Sequence, residues 1–358
     1  MRVLALPRYS SLGSSSRTRF YQYVPYLTSC GIDLQVMPLL GDDYIRALYF
    51  MQKQPFYSIA TGYLNRVYAC LRASAFDLLW IEKELFPWLP AWAEELLKVR
   101  GIPYVVDYDD AVYHRYNLHH DPLIRALLGK SIDTVMQHAT TVVVGNDYLA
   151  EYALRANAHK IEYLPTVVDI DRYPISEKKS PQFRIGWIGS PITAPYLGVI
   201  KDALDEVCRQ TKARMVLIGV GDHNPLPGLE KENLVWSEDS EVADIQSCDV
   251  GIMPLPDEPF TRGKCGYKLV QYMAAGLPVV ASPVGINTLI VEHEKTGFLA
   301  STPEEWVKAL VTLYHDEGMR SNMGKAGRQK VEKEYSLQIT APRLLDILTT
   351  AGLSRKSG

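Results

Sequence analysis

Short, wholly apolar runs recur along the first half of the chain, and amphipathic stretches separate them. Strands that are apolar on both faces and alternate with helices indicate a parallel sheet that helices cover on both sides. The first half is therefore predicted to be a doubly wound α/β unit. Its predicted strands are Val3–Leu6, Leu34–Met37, Leu78–Ile81, Tyr104–Val106 and Thr141–Val144. Helices predicted between them include Arg17–Leu27, Trp88–Val99 and Leu123–His138.

The same pattern restarts in the second half. The intervening stretch IEYLPTVVDIDRYPISEKKSPQ is rich in Pro, Ser and Lys, which predicts a linker with the domain boundary near Glu177–Gln182. The second set of predicted strands is Phe183–Ile188, Met215–Ile218, Leu234–Trp236, Val250–Met253 and Pro278–Ala281. The tail carries only helical signal, at Glu304–Tyr314, Gly318–Tyr335 and Ser336–Thr350.

These patterns predict an α/β protein with two Rossmann-like domains, at residues 1–178 and 183–335, followed by a helical segment at 336–358. A length of 358 residues suits two hydrophobic cores better than one. Open parallel sheets bind ligands at the carboxyl ends of their strands, so two facing sheets predict one shared cleft.

Composition and charge exclude several classes of protein. A net charge of −3 gives no indication of a nucleic-acid partner. The five dispersed cysteines contain no Cys-x-x-Cys pair, which favours a reducing compartment and argues against a structural zinc site. No stretch reaches the ~18 apolar residues of a membrane span, and the N-terminus lacks a signal-peptide apolar region. We expect a cytoplasmic protein, with peripheral contact to the inner face of the membrane as an option.

The segment Phe260–Ser282, FTRGKCGYKLVQYMAAGLPVVAS, carries the most chemical information. Its pattern predicts a helix that ends at Gly276, with Lys264, Lys268 and Gln271 on one face. Two cations near a helix N-terminus suit a diphosphate, and the Gln271 amide suits ribose hydroxyls. A solvated basic face is the alternative interpretation.

A glycine-containing loop follows the predicted strand Phe183–Ile188. Its residues Gly189, Ser190 and Thr193 are candidate residues for binding a phosphate-bearing donor substrate, because a glycine there lets backbone N–H groups approach an anion. The sequence contains neither a Walker loop nor a Gly-x-Gly-x-x-Gly fingerprint at this point. A tight strand-to-helix turn is the competing interpretation.

The loop after the first strand, PRYSSLGSSSRTRF, faces the same predicted cleft. Gly13 and Ser14 are candidate donor-binding residues that equally suit a helix start. Arg17 lies in the first helical turn, where a cation opposes the helix dipole, so a purely structural role is less favoured. We therefore include Arg17 among the candidate donor-binding residues.

Carboxylates cluster after two other strands. Asp107, Asp109 and Asp110 follow Tyr104–Val106, and Glu84 follows Leu78–Ile81. Such groups suit orientation of acceptor hydroxyls or general-base catalysis, and equally a divalent cation or a helix cap. Asp109 is taken as a candidate catalytic residue, and Glu84 and Asp110 as candidate acceptor-binding residues.

Several motifs in this order resemble the family-4 retaining glycosyltransferases of the GT-B fold. They are ATTVVVGNDYLAEYA, IEYLPTVVDIDRY, CDVGIMPLPDEPF, KLVQYMAAGLPVVASPVG and HEKTGFLA. The resemblance is strongest between Asp249 and Leu299. It implies a donor-binding C-terminal domain, a last helix that crosses back to the first domain, and transfer with retention and without a metal or other cofactor.

The chain departs from the usual family pattern at the donor site. Gly263 and Gln271 stand where the family has two glutamates, and the family's phosphate-binding Arg and Lys are missing from Ser190–Pro195. We therefore infer that Lys264 and Lys268 supply the phosphate-binding charge, and we count both as catalytic candidates.

A family histidine is replaced by Asp109, which begins an Asp-Asp-Ala motif. Together with the paired lysines, this resembles a subgroup found in bacterial surface-polysaccharide clusters. The expected substrates are a nucleoside-diphosphate sugar, with UDP-sugars favoured and GDP-sugars an option, and a glycan, lipid-linked or small-molecule acceptor. A nucleotide-sugar epimerase, a sugar phosphorylase and a non-catalytic nucleotide-sugar-binding protein are the alternatives.

The stretch Tyr44–Phe76 bears on the acceptor. It contains Arg46, Lys53, Arg66 and Arg72, many aromatic residues and no acidic residue. A basic, aromatic segment suits an anionic membrane surface, and ordinary helix packing is the alternative.

Overall fold

The computed structural model describes residues 1–50, 52–175 and 182–353. They form two six-stranded sheets, each parallel throughout. The central strands are buried along their whole length, because helices cover both faces of each sheet. Two doubly wound sheets confirm the predicted fold class.

The first sheet has the strand order β2-β1-β3-β4-β5-β6. Its strands are β1 Arg2–Leu6, β2 Asp33–Val36, β3 Leu78–Glu82, β4 Tyr104–Tyr108, β5 Thr141–Val144 and β6 Ile161–Tyr163. Its α-helices are α1 Ser14–Arg19, α2 Val24–Ser29, α3 Asp42–Tyr49, α4 Phe56–Leu71, α5 Trp92–Val99, α6 His114–Asn117, α7 Pro122–Leu128, α8 Ser131–His138 and α9 Asp147–Arg155. Short 3-10 helices lie at Tyr21–Tyr23, Ala73–Ala75 and Ile170–Arg172.

The second sheet has the order β12-β11-β10-β7-β8-β9. Its strands are β7 Arg184–Ile188, β8 Arg214–Ile218, β9 Lys231–Leu234, β10 Val250–Met253, β11 Val279–Ala281 and β12 Gly297–Leu299. The helices of this half are α10 Lys201–Thr211, α11 Glu241–Gln246, α12 Pro259–Arg262, α13 Tyr267–Ala274, α14 Asn287–Ile290, α15 Pro303–His315, α16 Glu317–Glu334 and α17 Leu337–Leu353, with a 3-10 helix at Ala194–Ile200.

Both strand orders reverse direction beside the first strand of the sheet. In the first sheet the reversal lies between β1 and β3, and in the second between β7 and β10. Ligands of open α/β sheets bind in the crevice at such a reversal, beyond the carboxyl ends of the strands. The topology therefore directs attention to the loops after β1, β3, β7 and β10.

Several helix boundaries differ from the predicted ones for identifiable local reasons. The predicted helix Arg17–Leu27 is two α-helices joined by a 3-10 turn, and Pro25 lies at the start of the second. The predicted helix Trp88–Val99 begins at Trp92, after Pro90. The predicted helix Leu123–His138 is interrupted near Gly129, whose Cβ substituent would lie 2.3 Å from the Arg125 carbonyl oxygen.

The last helix, α17, returns to the first sheet as predicted. Its apolar residues join the core formed by β1, β3 and α2. The Tyr23 hydroxyl lies 3.0 Å from Thr340 Oγ1, and Arg343 donates to the Tyr163 carbonyl. The predicted boundary at Glu177–Gln182 lies outside the described residues except for Gln182. The predicted tail is described as far as Leu353. The domain ranges therefore stay predictions.

A buried ion pair lies inside the first domain. Arg19 contacts Asp107 through two bonds, Nε to Oδ1 at 2.7 Å and Nη2 to Oδ2 at 2.9 Å, and also donates to the Leu164 carbonyl. Both side chains are almost fully excluded from solvent. Burial raises the pKa of Asp107 to about 6 despite Arg19. Asp107 thus joins α1 to β4 and does not face the cleft.

Candidate active site

A cavity of about 230 Å³ lies between the carboxyl ends of the two sheets. Its walls come from both halves of the chain, as expected for a shared cleft. The predicted site residues that line it are Ser14, Arg17, Asp109, Asp110, Gly189, Ser190, Thr193, Lys264, Lys268 and Gln271. Their roles stay predictions, but the structure brings these residues together.

Two predicted residues do not line this cavity. Gly13 precedes α1 and packs against Tyr9, so closely that a Cβ atom would lie 2.5 Å from Tyr9 Cβ. Glu84 is buried, where it accepts from the Tyr116 hydroxyl at 2.8 Å and pairs with Arg8 at 3.4 Å. Burial raises the pKa of Glu84. Gly13 thus takes the helix-start position that was its alternative, and Glu84 has a packing role that the sequence prediction missed.

Lys264 and Lys268 form the cationic wall of the cavity. The expectation that both lie on one helix face is wrong, because α13 begins at Tyr267 and Gly266 has a left-handed φ of 67°. Lys264 instead lies in the preceding loop, with Nζ 3.6 Å from Asp110 Oδ1. Lys268 lies in the first turn of α13, with Nζ 5.2 Å from the centre of the Trp187 ring.

The environment of Lys268 disfavours its charged form. Burial, together with the neighbouring Lys264 ammonium, lowers the pKa of Lys268 to about 7. No carboxylate forms an ion pair with Lys268 among the described residues. A dianionic group in the cavity would supply the missing counter-charge and restore the ammonium form.

Arg17 extends from α1 to the second domain. Its Nη2 lies 3.4 Å from Glu241 Oε2, and its guanidinium lies 4.5 Å from the centre of the Trp236 ring. Trp236 in turn donates to Glu241 through Nε1 at 2.7 Å. The buried Nη1 atom of Arg17 has no hydrogen-bond partner in the described part of the chain. Arg17 thus lines the cavity, and its contacts with Glu241 and Trp236 join the two halves of the chain.

The loop after β7 lines the cavity, but its backbone donors are already used. The Gly189 N–H donates to the Ile218 carbonyl at 3.0 Å, and the Ser190 N–H donates to Thr193 Oγ1 at 3.2 Å. Both N–H groups are engaged within the second domain in this structure, and the anion contact through them stays a prediction. Glycine is needed at 189 for packing, since a Cβ atom would lie 2.5 Å from the Trp187 ring.

The cavity is also lined by two carboxylates, which pair with the buried Lys83. Lys83 Nζ lies 2.8 Å from Asp109 Oδ1 and 3.9 Å from Asp110 Oδ2. Ser15 donates to Asp109 Oδ2 at 2.5 Å. Burial raises the pKa of Asp109, but Lys83 and the Ser15 hydrogen bond outweigh that effect and hold the pKa below its usual value. Asp109 is therefore a carboxylate at neutral pH and a weak base.

Lys83 and Ser15 are site residues that the sequence prediction missed. Lys83 has a left-handed φ of 65°, which is rare for a residue with a side chain. Strained backbone of this kind concentrates at functional sites. The signal in the sequence was a lysine between two glutamates directly after β3, in the stretch IEKEL.

Gln271 also lines the cavity from α13. Its side chain is buried, and its Nε2 atom has no hydrogen-bond partner among residues 1–50, 52–175 and 182–353. Burying an amide N–H group without a hydrogen-bond acceptor destabilises the fold, and a ligand oxygen that accepts from it removes this cost. The residue lines the same cavity as the two lysines.

A second cavity of about 360 Å³ adjoins the first and shares Tyr49 and Trp236 with it. Its walls are formed by α3, by the turn after β8 and by the end of β9. The turn contains Gly219 and Gly221, both with left-handed φ. The two cavities together form an elongated site. The first cavity is lined by charged side chains, and the second is mainly apolar.

No group of three or more His, Cys, Asp or Glu side chains arranged to hold a metal ion occurs within the described ranges. No helix there has the length and apolar character that would span a bilayer. The five cysteines are free thiols.

Comparison with solved structures identifies the fold. Sucrose-phosphate synthase from Thermosynechococcus elongatus superposes with a TM-score of 0.74 at 14% identity, covering 98% of both chains. Anabaena Alr3699/HepE in complex with UDP-glucose has a TM-score of 0.72 at 16% identity, covering 98% of this chain and 100% of the other. The chain has the GT-B fold of two Rossmann-like domains.

Sequence comparison adds the family of the second half. Residues 182–316 match the family of Glycosyl transferases group 1. The chain is similar to the sulfoquinovosyl transferase SQD2 of Arabidopsis thaliana, with 33% identity over 162 residues. That match covers 42% of this chain and 29% of the relative, so the chain spans less than two thirds of the relative's length. Residues 182–316 of this GT-B protein are thus similar to the group 1 glycosyltransferases.

Proposed function

We propose that this protein is a retaining glycosyltransferase that uses a nucleoside-diphosphate sugar. The observation that carries the proposal is the composition of the interdomain cavity. Lys264 and Lys268 line it together with Asp109 and Asp110, and Asp110 lies within 3.6 Å of the Lys264 ammonium. A diphosphate requires cations, and a sugar requires hydrogen-bond acceptors, and this cavity supplies both. The GT-B fold and the group 1 match support the same activity.

The donor diphosphate would lie against Lys264 and Lys268, with the free Nη1 of Arg17 as a further donor. The Gln271 amide would complete a contact to the ribose. The adjoining cavity, with Tyr49 and Trp236 between the two spaces, suits a planar base. A UDP-sugar is favoured over a GDP-sugar, and the UDP-glucose complex of the similarly folded HepE supports this choice.

Bond cleavage leaves negative charge on the departing diphosphate, and fixed donors must stabilise that charge. The two lysines and Arg17 supply positive charge at this point from the protein itself, and we propose that transfer requires no metal or other cofactor. Preorganised donors of this kind act most strongly where water is excluded.

The ionised state of Asp109 bears on the route of retention. A carboxylate whose pKa is held low by Lys83 is a poor proton acceptor. We propose that the acceptor oxygen attacks the anomeric carbon on the face from which the diphosphate leaves. The bond to the phosphate oxygen breaks, and that oxygen receives the acceptor's proton. Asp109 would then orient a hydroxyl group and stabilise positive charge on the sugar, while Asp110 lies beside Lys264.

The acceptor is proposed to be a lipid-linked glycan that the protein meets at an anionic membrane surface. Part of the expected basic segment Tyr44–Phe76 is not available for this purpose. Arg66 is 2% exposed and donates to the Leu6 and Pro7 carbonyls, so it holds α4 against the first sheet. Met51 lies outside the described residues.

The rest of that segment presents an apolar and basic surface. Exposed apolar side chains on it are Phe56, Tyr57, Leu64, Tyr68 and Leu71. Lys53 and Arg72 are also exposed, whereas Arg46 and Phe50 line the second cavity. Apolar side chains insert at the headgroup boundary, and each basic residue near an anionic surface contributes about 1 kcal/mol.

The double variant Phe56→Ser/Tyr57→Ser is expected to lose most of its binding to vesicles that contain anionic lipid, because two of the most exposed apolar side chains are removed. Co-sedimentation with vesicles of increasing phosphatidylserine content measures the effect. Ile175→Ser, which removes an exposed apolar residue elsewhere, serves as the matched control. Wild-type binding that stays flat as anionic lipid increases contradicts the membrane proposal.

A thermal-shift screen of nucleotide sugars, followed by a donor-consumption assay with and without EDTA, tests the proposed activity. Binding to the folded state raises its stability by RT ln(1 + [L]/Kd). Transfer to an added acceptor in EDTA supports the proposal. An isomerised sugar without acceptor identifies an epimerase, dependence on inorganic phosphate identifies a phosphorylase, and binding without consumption identifies a non-catalytic protein. Absence of any shift with nucleotide sugars contradicts nucleotide-sugar binding altogether.

A further inference from the structure

The amide of Asn146 connects the first domain to the loop Gly263–Gly266, which carries Lys264. Asn146 follows β5 and is 3% exposed. Its Nδ2 atom donates to the carbonyl oxygens of Gly263 at 3.0 Å and of Lys264 at 3.1 Å. Its Oδ1 atom accepts from the Leu149 N–H at 3.0 Å and so caps α9. One side chain thus uses its acceptor inside the first domain and its donors on the second.

Around this amide, the backbone of the first domain and the backbone of the loop Gly263–Gly266 pack closely against each other. A Cβ atom on Gly145 would lie 2.2 Å from Cys265 Sγ, and one on Gly263 would lie 2.4 Å from Ala111 Cβ. Such distances leave no room for a larger side chain at either glycine. The loop Gly263–Gly266 is therefore packed against the first domain, although the chain places it directly before α13 of the second.

The position of Lys264 depends on this packing. Its own carbonyl oxygen accepts from Asn146, and its ammonium lies 3.6 Å from Asp110 of the first domain. Lys268, by contrast, is fixed by α13 and lies over Trp187 of the second domain. The two lysines of the cationic wall are thus held by different domains.

We infer that Asn146 is a positioning residue: its amide holds the Gly263–Lys264 backbone against the first domain and so sets where the Lys264 ammonium meets the diphosphate. This inference rests on the proposed function, since it concerns the same donor site. The cationic wall is complete when the two domains make this contact. An amide is required at 146, because the position needs an acceptor toward Leu149 and two N–H donors toward the carbonyls.

Two substitutions at Asn146 distinguish the role of the amide oxygen from the role of the amide nitrogen. Asn146→Asp and Asn146→Ser both retain an oxygen that can cap α9, since Asp and Ser are as favourable as Asn at that position. Neither can donate two N–H bonds to the Gly263 and Lys264 carbonyls. Asp121→Ala, which removes the corresponding cap of α7 and its bond to Leu123, is the control for general loss of stability in the first domain.

The decisive experiment is a double-mutant cycle with Lys264→Met, measured as the affinity for UDP and for GDP alone and as kcat with the donor found in the screen. A misplacement near 1 Å can lower a rate by about 10²-fold, and we expect Asn146→Ser to lower kcat by about 10- to 100-fold and to weaken nucleotide affinity. In the Lys264→Met background the same substitution is expected to have little further effect, because the residue that it positions is absent. Asp121→Ala is expected to leave both quantities close to wild type.

The inference is overturned if Asn146→Ser and Asn146→Asp both retain wild-type kcat and nucleotide affinity, or if their effects add fully to that of Lys264→Met. The nucleotide affinities keep this result separate from the proposed function. If wild-type protein consumes no donor, the proposed activity fails, while the affinity cycle still reports whether Asn146 acts through Lys264.

Discussion

Replacing Lys268 by methionine is expected to lower kcat for sugar transfer by about 10²–10³-fold, the usual cost of removing one preorganised donor from a developing anion. Methionine keeps the apolar contact with Trp187 but removes the ammonium group. The effect should fall mainly on kcat, because the diphosphate carries more charge in the transition state than in the bound donor. Steady-state kinetics with the donor identified by thermal shift measures it.

The matched control is Lys308→Met, which removes an exposed lysine from α15 of the same domain. This variant should keep wild-type kinetics. Near-normal turnover by Lys268→Met, with the control behaving as expected, would refute the role assigned to Lys268.

Replacing Arg19 by methionine is expected to lower the free energy of unfolding by about 3–5 kcal/mol, since loss of one partner leaves a buried charge uncompensated. Asp107 would remain almost wholly buried beside an apolar side chain. The double variant Arg19→Met/Asp107→Leu should recover much of this loss, because apolar replacement of both partners of a buried ion pair is often neutral. Urea denaturation of the three proteins measures these differences.

Arg209→Met provides a comparison on the surface, where Arg209 pairs with Glu206 on one exposed helix face. Exposed pairs of this kind contribute little, so this variant should unfold close to wild type. An Arg19→Met protein that is as stable as Arg209→Met would contradict the structural role of the buried pair.

The sequence predicted most of the fold because most of the strands are marked by apolar runs. Thr141–Val144 and Val250–Met253 lie where they were predicted. The two strands that were missed, Ile161–Tyr163 and Gly297–Leu299, are short edge strands, and their half-exposed positions give no wholly apolar run. The predicted strand Leu234–Trp236 was displaced for a similar reason, since β9 is an edge strand with mixed polarity at Lys231–Leu234.

The candidate site was predictable to the level of loops but not of individual side chains. Loops that follow parallel strands meet at one edge, which brings Arg17 and Asp109 together, and the second sheet facing this edge adds Lys268. Lys83 and Glu84 are neighbours in one turn, yet Lys83 contacts Asp109 while Glu84 contacts Arg8. The left-handed φ of Lys83 sets these directions, and neither residue type in the sequence indicates it.

Contacts across the domain interface also could not be predicted from the sequence. The ion pair of Arg17 with Glu241 joins residues from the two halves, as does the Asn146 amide bond to Gly263. Neither contact follows from local periodicity, because that pattern reports only which face of an element is buried. The start of α13 after Lys264 was likewise set by the left-handed φ of Gly266.

Proton uptake on donor binding tests most directly whether the paired lysines hold the diphosphate. Free Lys268 has a pKa lowered to about 7 by burial and by Lys264. At pH 8 it is mostly neutral, and a bound diphosphate should return its pKa toward the usual ~10.4 and charge it. Calorimetry at pH 8 in two buffers of different ionisation enthalpy should therefore report uptake of close to one proton by the wild type and almost none by Lys268→Met. Tight donor binding by the wild type without proton uptake, or equal uptake by the variant, would contradict the account.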